Sequence, residues 1–221
     1  MRYLFPILLG LAGAGILVSL GLWQVQRLAW KEGILAQIEA RITDAPVAVP
    51  AAPDAEADLY LPVEARGVMG IEDIYVLASL KDIGAVHRVI SPLTLEDGRR
   101  VMIDRGWRPV GAPVPARREQ VVEVTGNLHW PQEVDSFTPE PDPSGLMFAR
   151  DLPAMAQVLG TEEILIVLRS STDPDSTITP LPVSGAGIPN DHLQYAITWF
   201  GLAVVWLGMT GYWLGRLRKT A

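Results

Sequence analysis

The sequence of 221 residues contains no cysteine and few charges. The absence of cysteine excludes disulfides, thiolate metal sites and a cysteine nucleophile. Charged residues make up 19% of the chain, below the usual share of about 25%. They are also unevenly placed, because residues 3–26 and 193–215 contain none. This scarcity of charge argues against a purely soluble protein.

Each uncharged run exceeds the ~20 apolar residues that a helix needs to cross a bilayer. We therefore predict transmembrane helices at residues 3–26 and 189–215. The first run begins like a secretory signal peptide. It is longer than the roughly 7–15 apolar residues of such a signal, and no small-residue cleavage site follows it. We predict that it is an uncleaved anchor.

The short segments outside the two spans are basic. They contain Arg2, Arg216, Arg218 and Lys219, so with a net charge of −7 the segment between the spans carries −11. Basic flanks stay in the cytoplasm, and no organellar transit sequence precedes the first span. We predict a multi-pass protein of the bacterial inner membrane, with cytoplasmic termini, a basic tail at 216–221 and a periplasmic acidic domain. An acidic domain disfavours nucleic-acid binding.

Between the spans we predict a helix extension and linker at 27–58 and a β-rich domain at 59–188. Short runs rich in Val and Ile predict strands at 60–68, 74–80, 85–95, 100–105, 121–129 and 164–170. Asp97-Gly98 predicts a hairpin turn, and residues 151–159 predict a helix ended by Gly160. The fold class is α+β, with an antiparallel barrel-like or sandwich-like domain between two transmembrane helices.

Motifs for catalysis are lacking in this domain. It has no nucleophile elbow, no glycine-rich phosphate loop and no metal-binding histidine pair. Asp104 and Arg105 end a predicted strand, where an ion pair is a better interpretation than a catalytic pair. We predict no catalytic residue and no enzymatic activity.

Both predicted spans carry a stripe of small residues. The first stripe is Gly10, Ala14 and Gly21, and the second is Gly201, Gly208 and Gly215. Small residues allow transmembrane helices to approach closely, which predicts that the spans pack through these faces. The alternative is that glycine is simply common in transmembrane helices.

Aromatic residues occupy the opposite side of the second span. His192, Trp199, Trp206 and Trp213 repeat every seven residues, and Tyr195 lies on the same side. Turned away from the partner helix, this stripe would face lipid, another protein or a flat ligand such as a porphyrin.

The second span is predicted to start with Asn190 as N-cap and Asp191 in the first turn. His192 follows directly. Its imidazole would either ligate a metal or reach the water of the lipid headgroups.

Five segments together resemble the surfeit locus protein 1 family, assembly factors for haem-copper cytochrome c oxidase. They are residues 20–24 with Arg27 and Lys31, the hairpin at 89–93, 97–98 and 101–109, the loop at 137–139, the segment at 150–156, and residues 189–200. The last segment carries the resemblance most specifically, because twelve consecutive residues fit.

The resemblance implies that the protein binds haem a transiently and helps to insert it into the catalytic subunit of the oxidase. His192 would be an axial ligand of the haem iron, and Tyr195 and Trp199 would line the macrocycle. Expected partners are membrane lipid, the oxidase catalytic subunit, haem a synthase and other assembly factors. The alternative function is a scaffold that binds the oxidase subunit through the tryptophan face and never holds haem.

Overall fold

The computed structural model describes residues 3–184 and 190–219. The chain forms two compact units, a helix unit of Met1–Gln37 and Gly185–Ala221 and a β unit of Ile38–Ser184. The elements in chain order are α1 (Leu4–Ile42), β1 (Val47–Ala48), β2 (Pro62–Met69), β3 (Ile74–Leu80), β4 (Gly84–Leu95), β5 (Arg100–Pro109), β6 (Gln120–His129), α2 (Leu152–Leu159), β7 (Leu165–Ser171) and α3 (His192–Lys219).

The helices α1 and α3 are both long and apolar enough to cross a membrane. In their most apolar windows only 22% of the residues of α1 and 6% of those of α3 are buried. A core helix of a soluble protein would instead hide its apolar side chains. Both helices thus have the exposed apolar surface that a lipid environment accommodates.

Both helices are longer than a single crossing of the hydrocarbon core requires. The 39 residues of α1 give a length of about 58 Å, well beyond a hydrocarbon core of about 30 Å. The helix α3 runs through the basic residues of its last turn to Lys219. The predicted helix start at residue 189, and residues 1–2 and 220–221 of the two basic flanks, lie outside the described residues.

The β unit contains one seven-stranded sheet of order β1-β2-β6-β7-β5-β4-β3. β2 also pairs with β4, so the pairings β2–β6–β7–β5–β4–β2 form a closed circuit. The prediction of an antiparallel domain is wrong in part. β5 and β7 are parallel, with Met102 opposite Leu165, and β1 and β2 are parallel as well. The sheet is therefore mixed.

The core lies on both faces of the central strands. Alternate residues of β5 and β7 enter two clusters, as in strands that are covered on both sides. Val101, Ile103 and Ile166 belong to the first cluster, which is formed mainly by strands. Met102 and Leu165 belong to the second, where the sheet packs against α2.

Two local predictions are confirmed. The helix α2 has Asp151 as N-cap, whose side chain accepts a hydrogen bond from the Ala154 N–H at 3.1 Å. It ends at Gly160, which adopts a left-handed conformation with φ of 63°. The Asp97-Gly98 turn joins β4 to β5, and Gly98 has φ of 87°.

Charged residues are buried where β5 meets β4. The Asp104 carboxylate is fully buried and accepts hydrogen bonds from Arg88 Nε at 2.9 Å and Arg150 Nη1 at 3.2 Å. Arg150 also pairs with Glu133. Arg105 lies at a β-bulge and forms ion pairs with Asp173 and Asp175. The ion-pair interpretation of Asp104 is confirmed, but the predicted strand end at Arg105 is wrong, because β5 continues to Pro109.

His129 lies close to this charged cluster, at the end of β6. Its ring stacks on Tyr60 at 5.5 Å. Burial, followed by the positive charges of Arg150 and Arg88, lowers the pKa of His129 to about 4 against the opposing charge of Glu133. The histidine is consequently neutral near pH 7.

Candidate functional site

The first turn of α3 places the predicted ligand, His192. The helix begins at His192, and the Asp191 carbonyl accepts the Tyr195 N–H at 3.1 Å. Asp191 is therefore the residue that precedes the helix, and the prediction of Asn190 as N-cap is wrong by one position. The His192 side chain is half-buried, with one ring edge toward α1.

A buried glutamine of α1 meets this histidine. His192 Nδ1 lies 2.8 Å from Gln24 Oε1, and Gln24 is buried at 8% exposure. Among the described residues, no protein group forms a hydrogen bond with His192 Nε2. One ring nitrogen is held by the protein, and the other has no hydrogen-bond partner among the described residues that would compete with a ligand.

Two aromatic residues share the helical face of His192. Tyr195, one turn further, is 55% exposed, and Trp199, two turns further, is half-buried. At 1.5 Å per residue, Trp199 lies about 10 Å along the axis from His192. The three side chains can therefore line one side of a flat molecule of porphyrin size.

The small residues of α1 lie against α3, as their spacing predicts. A side chain at Gly10 would meet Thr210, and one at Gly21 would meet the ring of Phe200 at 2.6 Å. Ala14 is buried at 7% exposure between these positions. We call this line of contact, along Gly10, Ala14 and Gly21 of α1, the seam. It brings the two backbones close together, so that Gln24 reaches His192.

The predicted packing face of α3 is wrong. Gly201, Gly208 and Gly215 have open space where a side chain would begin. Trp206 instead lies in the seam, against Gly13, and its Nε1–H donates a hydrogen bond to the Gly10 carbonyl at 3.0 Å. The aromatic stripe therefore faces α1 at Trp206, because a large indole fills the space that the glycines of α1 leave.

A groove lies toward the other end of the helix unit. It has a volume of about 390 Å³ and is lined mainly by apolar residues that include Leu9, Trp206 and Trp213, together with Arg216. Trp206 is 14 residues, or about 21 Å along the axis, from His192. A ligand on His192 would consequently lie outside this groove.

The chemistry of these residues fits a haem better than a bare metal ion. In the part of the chain that the structure describes, no group of three or more His, Cys, Asp or Glu residues could hold an ion. A haem brings four nitrogen ligands of its own and needs from a protein only an axial group such as imidazole. A single histidine beside aromatic side chains meets that requirement.

Gln24 is the site residue to which sequence analysis gave no role. It belongs to the segment at 20–24 that carries the family resemblance, and it is a polar residue within an apolar run. That polarity is the signal that would have marked it, because polar side chains within membrane spans usually have a partner.

The chain is similar to several known proteins of one family. Residues 11–204 match the model of the SURF1 family. Surfeit locus protein 1 of Xenopus tropicalis is 33% identical over 213 residues, which cover 83% of this chain and 67% of that protein. The human protein of the same name is 30% identical, with 84% and 69% covered. A SURF1-like protein of Rickettsia bellii is 30% identical, with 85% and 82% covered. The chain therefore belongs to the SURF1 family.

Proposed function

We propose that this protein is an assembly factor for haem-copper cytochrome c oxidase that binds haem a through His192 and assists its insertion into the catalytic subunit. Membership of the SURF1 family implies the role in oxidase assembly. The observation that supports haem binding is a half-buried imidazole with one ring nitrogen held by Gln24 and aromatic residues on the same face.

Each of these residues would make a different contact with haem a. The His192 imidazole would ligate the iron of haem a, and Tyr195 and Trp199 would contact the macrocycle. When bound, haem a supplies an iron whose open coordination position accepts a protein ligand. The exposed Tyr195 leaves that side of the site open, which suits a ligand that is passed to another protein.

The position of the site in the cell follows from charge. We place α1 and α3 across the bacterial inner membrane, with both termini in the cytoplasm and the acidic β unit in the periplasm, because basic flanks are retained inside. A cysteine introduced at the exposed Phe137 should react with a membrane-impermeant maleimide in cells with a permeabilised outer membrane. A cysteine at Lys219 should not. The reverse pattern would exclude this topology.

The test of haem binding is an absorption spectrum of the protein purified in detergent from cells that make haem a. We expect the wild type to carry haem and His192→Ala to retain at most about one tenth of it. Gln194→Ala is the matched control, because Gln194 is an exposed polar residue of the same helical turn, and it should retain haem at the wild-type level.

Two results would contradict the proposal. A colourless wild-type protein would exclude haem binding, and full haem content with unchanged axial ligation in His192→Ala would exclude His192 as the ligand. Loss of the protein from cells should also lower the amount of haem-loaded oxidase.

A scaffold that binds the oxidase subunit without haem is the second candidate. The expected tryptophan face is not free at Trp206, which packs against α1. The support is instead the open face of α3 at Gly201, Gly208 and Gly215, since small residues on a lipid-exposed helix can receive another helix. A colourless wild-type protein that still co-purifies with the oxidase subunit, and loses it in Gly208→Leu, would favour the scaffold.

A further inference from the structure

Gln24 is unusual within the helix unit because it is polar and buried. The residue is 8% exposed, and among the described residues it is the one polar or charged residue of that unit that is buried to this extent. Burying an amide without a partner costs about 1–3 kcal/mol. The amide oxygen of Gln24 avoids this cost through its contact with His192.

The contact defines which ring nitrogen of the histidine carries a proton. His192 Nδ1 lies 2.8 Å from Gln24 Oε1, and an amide oxygen can only accept a hydrogen bond. The Nδ1–H group must therefore donate. In a neutral imidazole with a proton on Nδ1, Nε2 keeps its lone pair and can coordinate a metal.

The packing of α1 against α3 holds the glutamine in reach. Gly21 lies one turn before Gln24, and the ring of Phe200 fills the space where a Gly21 side chain would begin. Because the backbones approach closely there, the Gln24 side chain spans the remaining gap to His192. The two residues are 168 positions apart in the sequence.

We propose that Gln24 is a positioning residue for His192: it accepts the Nδ1–H, selects this tautomer and presents Nε2 to the haem iron. The part that concerns iron depends on the proposed function. The tautomer itself is a property of the protein without haem. Partners of this kind orient a ligating histidine, and removing one typically costs about 10–100-fold in metal affinity.

The first test measures the tautomer in the full-length, haem-free protein. The chain contains three histidines, so ¹⁵N-histidine labelling in detergent micelles gives few signals, and His192→Gln identifies those of His192. At a pH where the ring is neutral, we expect a protonated Nδ1 and an unprotonated Nε2 in the wild type. Gln24→Leu should increase the population with the proton on Nε2.

Two further variants separate the hydrogen bond from general disturbance of the helices. Gln24→Glu keeps an oxygen acceptor and should retain the Nδ1–H tautomer. Gln26→Leu replaces an exposed glutamine two residues away, and it should leave the His192 signals unchanged. An unprotonated Nδ1 in the wild-type protein overturns the proposal, whether or not the protein binds haem.

The second test measures the affinity of the same proteins for added haem a. Gln24→Leu should bind about 10–100-fold more weakly than the wild type, whereas Gln24→Glu and Gln26→Leu should bind within a few-fold of it. Equal affinity of Gln24→Leu and the wild type overturns the positioning role. If the wild type binds no haem, the proposed function fails, and the tautomer measurement alone decides the role of Gln24.

Discussion

The helix unit and the β unit bury polar side chains by different chemistry. In the helix unit the acceptors of such contacts are amide oxygens: Gln24 meets His192, and Trp206 donates to a backbone carbonyl. In the β unit the fully buried Asp104 lies between Arg88 and Arg150. Charges are expensive in a bilayer but can be paired inside a water-soluble domain. A helix unit in lipid and a β unit in water are expected to differ in this way.

The two units also achieve close packing with different residues. The sheet fills its core with Val, Ile, Leu and Met on both faces of the central strands. The helix pair relies on small residues of α1, against which Trp206 and Phe200 pack. In water the transfer of large apolar side chains stabilises a core, whereas lipid offers no such gain and leaves close contact as the main attraction.

The largest effect is expected from the buried charges of the β unit. Asp104→Asn keeps the size of the side chain but leaves Arg88 and Arg150 without the buried carboxylate, and it should lower the free energy of unfolding by about 3–5 kcal/mol. Glu96→Gln is the control, because Glu96 and its partner Arg66 are 73% and 60% exposed and should contribute under about 1 kcal/mol. Urea unfolding followed by fluorescence gives both free energies. Similar losses of stability in the two variants would show that the buried ion pairs of Asp104 contribute no more than an exposed pair.

The seam of the helix unit can be tested by an engineered disulfide, since the native chain has no cysteine. A Cβ at Gly10 would lie 3.2 Å from the Thr210 Cβ, near the separation of about 3.5–4.5 Å in disulfides. Gly10→Cys with Thr210→Cys should cross-link under oxidation, and the bond should stabilise the protein by about 2–4 kcal/mol.

The matched pair is Gly10→Cys with Gly208→Cys, because Gly208 faces open space. It should remain reduced, as judged by gel mobility after mild oxidation. Cross-linking of the second pair in preference to the first would show that α3 packs against α1 through its glycine face.

The smallest effect concerns His129, whose pKa in the folded protein is about 4 against an ordinary value of 6.5. Between these values the unfolded chain binds up to one more proton here than the folded chain does. The contribution of the neutral ring is complete above pH 6.5 and is lost as the pH falls toward 4.

His129→Gln should therefore reduce the loss of stability between pH 6.5 and 4 in thermal unfolding. His87→Gln is the control, since it removes another histidine of the β unit. An unchanged pH dependence in His129→Gln would mean that burial and the neighbouring arginines do not lower the pKa of His129.

Local features of the β unit were predictable. The predicted strand at 74–80 coincides with β3, and Asp151 and Gly160 frame α2 because caps act within a few residues. The parallel pairing of β5 with β7 was not predicted. The two strands are separated by β6 and α2 in the sequence, and no local pattern tells which strands become neighbours.

In the helix unit, too, local features of the candidate site were predictable and the contacts between helices were not. The seven-residue spacing of His192, Trp199 and Trp206 correctly put them on one side of α3, opposite its glycines. It did not tell which side meets α1, and the expected face was the wrong one. Periodicity defines the faces of a helix, but the choice between two faces depends on whether an indole or a glycine better fits the partner surface.

The sequence by itself determined two helices of membrane length, an acidic β-rich segment between them and a histidine at the start of the second helix. These follow from runs of charge, apolar length and residue spacing, which are properties of neighbouring residues. Only the tertiary structure decided that the seam of α3 contains Trp206 and that Gln24 meets His192 Nδ1. Contacts across 168 residues depend on how the helices fit together, and their side chains carry no local mark of their partner.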